Sequence, residues 1–132
     1  MIALDTHALI WWVNGDNKLS SAAKKAISKI QKNASVILVS SITVWEIALL
    51  VKKRRLTLTM DVSAWIATTA AIDSVRYVAI DNAIAIESVN LPGNFHKDPA
   101  DRMITAMARH HNVPLLTADE RIRNYNYVKT IW

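Results

Sequence analysis

The chain has 132 residues, of which 52% are hydrophobic, with 2 glycines, 3 prolines and no cysteine. This suits one domain with a sizeable core, and it excludes a disulfide framework, a zinc–thiolate site and long disordered linkers. A formal net charge of +5 favours an anionic partner, of which nucleic acid is the commonest, although solubility alone accounts for such a charge in many small domains.

The elements follow in chain order. Met1 to Leu4 reads as a strand leading into a helix from Thr6 to Val13; with no basic segment before Asp5, this start does not read as a signal peptide. An amphipathic helix opens at Ser20 or Ser21 and runs through KKAISKI. VILV (Val36 to Val39) is an apolar run suited to a strand buried on both faces. Ser40 and Ser41 open a long helix through Lys53, and a further helix spans Asp61 to Ile72. VRYVAI (Val75 to Ile80) is a third strand, followed by a helix over Ala83 to Val89 and the loop LPGN. Asp98 starts a helix that ends near His111 and Asn112. VPLLT (Val113 to Thr117) is a fourth strand, Asp119 starts a short helix, and YVKTI (Tyr127 to Ile131) supplies a last strand.

This alternation predicts an α/β fold: a three-layer α/β/α sandwich around a mainly parallel sheet of four to five strands, forming one domain over residues 1–132. No apolar run reaches the ~18 residues of a membrane span. The lack of cysteine suits a reducing compartment, so a cytoplasmic location is expected.

In a parallel sheet, ligands bind beyond the carboxyl ends of the strands. Asp5 follows the first strand directly, Asp119 closely follows the fourth, and Glu46 lies early in the helix after the second. Asp101 joins them if its helix starts at the same rim. Each acid also has a purely structural reading. Asp5 can cap the first helix, Thr43 to Glu46 and Thr117 to Glu120 fit capping boxes, and Asp98-Pro99-Ala100-Asp101 is a strong helix start. Helix geometry favours a further role for two of them. Glu46 points the same way as Ile42, Leu49 and Leu50, and Asp101 shares a face with Ile104 and Ala108. An unpaired inward carboxylate is costly, and no buried Arg or Lys is evident as a partner. A divalent cation would neutralise several carboxylates at once, and oxygen-only ligands suit Mg²⁺ or Mn²⁺. In the Asp98/Asp101 pair, Asp98 is expected to cap the helix while Asp101, at its third position, faces the other acids.

Other residues carry weaker signals. His7 and His96 lie near acids in sequence, and His110-His111 falls at a helix end where positive charge is favourable. Trp11, Trp12 and Trp45 lie in apolar helices and read as core or interface aromatics. Arg102 adjoins Asp101 and reads either as a phosphate contact or as a surface ion pair.

LDTHALIWW, SSITVWEIALL, HKDPADRMITAMARHHNVPLLTADERIR and the terminal VKTIW together resemble bacterial PIN-domain proteins, most nearly the VapC-like ribonuclease toxins of type II toxin–antitoxin systems. The resemblance spans essentially the whole chain, and DPADR with LLTAD and an upstream helical Glu is its most specific part. It implies a PIN-like fold and a metal-dependent endoribonuclease. Its acidic site falls on Asp5, Glu46, Asp101 and Asp119, which would bind Mg²⁺ or Mn²⁺, with Thr6 and Thr117 in support and Asp98 orienting the helix. It also implies an RNA substrate, a homodimer and a cognate antitoxin protein. Two other readings stand beside it. One is a Mg²⁺-dependent phosphohydrolase or phosphotransfer domain with Asp5 as nucleophile, although LDTHA lacks the second Asp usual in one such group. The other is a non-catalytic nucleic-acid-binding module, in which Glu46 would stand in solvent apart from Asp5.

Overall fold

The computed structural model describes residues 1–132. The elements are β1 (Ile2–Leu4), α1 (Thr6–Val13), α2 (Ser21–Lys32), β2 (Ile37–Ser40), α3 (Ser41–Lys52), α4 (Val62–Ala70), β3 (Val75–Val78), α5 (Asn82–Val89), α6 (Pro99–His110), β4 (Leu115–Leu116), α7 (Glu120–Arg123) and β5 (Thr130–Ile131). Every element expected from the sequence is present; α4 is shorter than Asp61 to Ile72, and the other main differences lie at strand ends. β4 is shorter than Val113 to Thr117: Pro114 has no N–H to give to a ladder, so it only accepts, from the Ala3 N–H at 2.9 Å. β5 keeps only the end of Tyr127 to Ile131 because its partner strand is so short.

The five strands form one parallel sheet in the order β3-β2-β1-β4-β5. β1 and the first three residues of β2 are wholly apolar because helices cover both sides of the sheet. Alternation along the strands divides the core in two. Ile2, Leu4, Ile37, Val39 and Leu116 pack with α1, α2, Ile47 of α3 and Trp65 of α4. Ala3, Leu38 and Leu115 pack on the other side with Ile84 of α5 and with Ile104, Met107 and Ala108 of α6. This is the three-layer arrangement.

The strand order also locates the site. The chain leaves β1 towards β2 on one side and leaves β4 towards β5 on the other, so the order reverses between β1 and β4. The carboxyl ends of these adjacent strands carry Asp5 and Thr117 to Asp119. A crevice opens at such a reversal.

The connection from α5 to α6 reaches the same rim and is pinned from three directions. Gly93 has φ +65°, a left-handed conformation favourable to glycine, and a Cβ there would meet Tyr127 Cε2 at 2.9 Å. The Tyr125 hydroxyl donates to the Pro92 carbonyl. Arg102 supplies the third tie. Its Nε donates to the Ser88 carbonyl at 2.8 Å, Nη1 to Phe95 at 2.9 Å and His96 at 3.0 Å, and Nη2 to Val89 at 3.2 Å. Arg102 therefore makes no surface ion pair, which corrects that sequence reading. Its donors are committed to the end of α5 and to the loop that presents His96. Replacing Arg102 by Met should cost about 1–3 kcal/mol in urea unfolding, because partly buried carbonyls lose a charged donor. Lys should recover little of this, since a single ammonium cannot span the same acceptors.

Candidate active site

β1 ends at Leu4, and Asp5 turns the chain into α1. Its Oδ1 accepts the Ala8 N–H at 2.8 Å, so Asp5 is the N-cap of α1. A cap on a surface helix is usually solvated, whereas Asp5 is only 7% exposed. Burial pushes its carboxyl up from 3.8 to about 6; the Thr117 hydroxyl, the Ala8 N–H and His7 oppose the rise, and Asp101 adds to it. Thr117 is itself fully buried, and its Oγ1 accepts the Asp119 N–H at 3.1 Å. That bond, with Asp119 as the cap of α7, replaces the capping box expected between Thr117 and Glu120.

Glu46 comes from the next strand–helix unit. Ser40 caps α3 by accepting the Ile42 N–H at 3.3 Å, so Thr43 is free of capping duty. The Thr6 hydroxyl donates to Glu46 Oε1 and is 3.0 Å from Thr43 Oγ1, which leaves the Thr43 hydroxyl to donate to Thr6. This chain of hydroxyls ties α3 to α1 and aims Glu46 at the rim beside Asp5. Burial raises the Glu46 carboxyl above its ordinary value, with Thr6 opposing and Asp101 adding. Glu46 thus does not stand in solvent apart from Asp5, as a purely binding module would have it.

Asp98 and Asp101 divide their work along α6. Asp98 Oδ2 accepts the Asp101 N–H at 2.9 Å and Pro99 follows in the first helical turn, which is the geometry expected of a cap. Asp101 turns inward, where its Oδ2 lies 2.6 Å from His96 Nε2. Burial raises the Asp101 carboxyl, His96 opposes, and the charges of Asp98 and Asp119 add to the rise.

Asp119 behaves differently. Its Oδ1 accepts the main-chain N–H groups of Arg121 at 2.8 Å and Ile122 at 3.4 Å, and its Oδ2 accepts from Arg121 Nη2 at 3.1 Å. Burial alone would raise its pKa, but these bonds outweigh it and hold the carboxyl below its ordinary value. Arg121 Nη2 also lies 3.5 Å from Asp101 Oδ2.

The four acids predicted from the sequence all line one cavity of about 380 Å³, together with Thr6, His7, Trp11, Asp98, Ala118 and Arg121. Thr117 lies behind its wall. As the side chains stand, no three of the Asp, Glu and His groups converge closely enough to grip one ion. The donor set nevertheless suits a hard divalent cation: oxygen ligands only, several held against burial, and a cationic guanidinium already spanning two of them. Arg121 is the cationic partner that sequence reasoning did not supply, and His96 adds a hydrogen-bond partner for Asp101. Arg121 went unnoticed because two residues past a cap is an ordinary place for an exposed arginine. Trp45 is 54% exposed and so is not a core residue, while Trp65 is the buried tryptophan.

The Asp5 carboxyl makes stability depend on pH in metal-free protein. Its proton is held more tightly in the folded state than in the unfolded chain. Its contribution is therefore full below pH 3.8 and is lost as pH rises through about 6. The loss is on the order of 3 kcal/mol, at about 1.4 kcal/mol per pH unit. Asn caps a helix as well as Asp does. Asp5→Asn should therefore be at least as stable as wild type in chelator near neutral pH, and should lose less stability between acid and neutral pH. A urea midpoint clearly below wild type at neutral pH would show that the Asp5 charge is structural.

Comparison with known proteins agrees with this geometry. The family model for the PIN domain matches residues 2–126. The chain is 35% identical over 133 residues to Ribonuclease VapC22 of Mycobacterium tuberculosis, covering 99% of this chain and 98% of that protein. Among solved structures, VapBC2 from Rickettsia felis bound to a promoter DNA fragment aligns with a TM-score of 0.71 at 17% identity, over 98% of this chain and 97% of that one. A toxin-antitoxin complex from Klebsiella pneumoniae aligns with a TM-score of 0.66 at 22% identity, over 97% and 95%. The two structural likenesses concern the fold alone, but a family match spanning nearly every residue, joined to a whole-length relative and an acid-lined crevice, makes this chain a member of the PIN-domain family.

Proposed function

We propose that this protein is a metal-dependent endoribonuclease that hydrolyses RNA phosphodiester bonds as the toxin of a type II toxin–antitoxin pair. The observation that carries this reading is the meeting of four carboxylates, from four separate segments, on one cavity at the reversal of strand order. The ribonuclease relative supports RNA as substrate, and the toxin–antitoxin neighbours support a cognate antitoxin as partner.

Asp5, Glu46, Asp101 and Asp119 would hold Mg²⁺ or Mn²⁺. Bound there, the ion supplies Lewis acidity to a phosphoryl oxygen and to an attacking water, and it reverses the negative potential that would repel RNA. The chain's own groups set the geometry. Thr6 and Thr43 fix Glu46, Thr117 fixes the turn that carries Asp119, and Asp98 orients α6 so that Asp101 faces inward. His96 can take or return a proton at Asp101 Oδ2.

No helix is long and apolar enough to cross a membrane, and the cytoplasm, where RNA is available, is the proposed location. The homodimer implied by the family also belongs to this proposal. Exposed apolar side chains such as Trp45, Ile86 and Val89 are of the kind a second chain would cover.

Incubation of purified protein with total RNA should give cleavage with Mg²⁺ or Mn²⁺ and none with excess chelator. Cleavage undiminished by chelator would sink the metal requirement. Glu46→Gln should abolish cleavage yet unfold no earlier than wild type in chelator, because Gln still accepts the Thr6 hydroxyl and removes a half-buried charge. Asp98→Ala should lose about 0.5–2 kcal/mol of stability and retain measurable cleavage. Asp101→Asn should show the opposite pattern, abolishing cleavage at little cost in stability. If Asp98 proves essential and Asp101 dispensable, the two roles are reversed.

A further inference from the structure

Arg121 is the only Arg or Lys that lines the acid-rich cavity. Its Nη2 is 3.1 Å from Asp119 Oδ2 and 3.5 Å from Asp101 Oδ2, so one guanidinium nitrogen bridges carboxylates from two different elements. Nε adds a longer contact of 3.4 Å to Asp119 Oδ1. This is the position a divalent ion shared by Asp101 and Asp119 would need. The side chain reaches it from the solvent side, being 60% exposed against 17% for Asp101 and 28% for Asp119.

We propose that Arg121 is a displaceable counter-ion. In metal-free protein it neutralises Asp101 and Asp119; when a divalent cation takes those carboxylates, the guanidinium is released to the cavity mouth and holds a phosphate of the RNA. The inference rests on the metal-dependent reading above. Three features make the exchange feasible. Ion pairs on a largely exposed guanidinium are weak, so a divalent ion can displace them. Asp119 keeps the main-chain N–H groups of Arg121 and Ile122 whether or not the side chain stays, so α7 does not lose its cap. A guanidinium released beside a bound cation is repelled by that cation and attracted by phosphate, whose paired oxygens match its fork. Arg121 is thus a positioning residue with two successive partners, both anionic. Arg102 cannot share this task, because its donors are held by main-chain carbonyls.

The test is a calorimetric titration of Mn²⁺ into the full chain, wild type, R121Q and R121K, beside steady-state cleavage of an RNA oligonucleotide at saturating Mn²⁺. R121Q should bind Mn²⁺ about three- to tenfold more tightly than wild type, the scale of one or two exposed ion pairs, with R121K close to wild type. Its KM for RNA should rise about tenfold while kcat changes less, as for loss of a phosphate contact made before the chemical step. Thermal unfolding in chelator should leave R121Q near wild type, since the cap of α7 persists. Equal or weaker Mn²⁺ binding by R121Q would overturn the counter-ion role, and an unchanged KM would overturn the phosphate role. Mn²⁺ binding to none of the three proteins would instead remove the metal-dependent reading, an outcome distinct from equal binding by all.

Discussion

Five carboxylates, Asp98 included, share one crevice, and the energetics of keeping them there governs the neighbouring structure. Asp5, Glu46 and Asp101 are all driven towards protonation by burial; the Asp101 charge adds to the rise at Asp5 and Glu46, and Asp98 and Asp119 add to the rise at Asp101. The fold answers with positive ends of helices: α1, α6 and α7 all begin at this rim, and each is capped by an acid of the cavity. The partial positive charge at a helix start favours an anion within its first turn. Hydroxyls supply the rest, since Thr6 and Thr117 donate hydrogen bonds without bringing charge that would compete with a cation. Only Asp119, whose hydrogen bonds from Arg121 and Ile122 outweigh its burial, is held below its ordinary range.

Strand order turns that local chemistry into a site. β1 and β4 are adjacent although far apart in sequence, because the chain fills one side of β1 before crossing to the other. Their carboxyl ends bring Asp5 and the Asp119 turn together without any long loop. Asp101 is the exception, since it arrives on a helix whose preceding loop is irregular. That loop is correspondingly the most heavily tied, by Arg102, Tyr125 and the close approach of Gly93 to Tyr127. Rigid strands place two acids; side-chain clamps place a third.

Much of this was legible in the order of residues. Helix periodicity sent Glu46 and Asp101 inward, Pro99 marked Asp98 as the cap, and alternating apolar runs announced a parallel sheet. What escaped depends on reach across space. Arg121 finds Asp101 through a long flexible side chain, a contact between residues twenty apart that no spacing rule encodes. Arg102 sits beside an acid in sequence yet turns away from it to carbonyls at the end of α5 and in the loop that follows. Trp45 lies in an apolar helix but on its outer side, and position in the helix alone does not tell a core face from one left for another surface. Thr43 looked like a cap residue, but Ser40 took that place first and freed its hydroxyl for Thr6.

The double use of Asp5 and Asp119 as helix caps and as acids of the cavity has a genetic consequence. Aspartate and asparagine codons differ by a single base, and asparagine caps a helix equally well. One transition at either codon therefore removes a carboxylate from the cavity while the helix cap survives. Such a change subtracts charge from the crevice without generating misfolded chains. The substituted chain keeps its remaining surfaces, so loss of a charge and loss of the fold are separable by a single base.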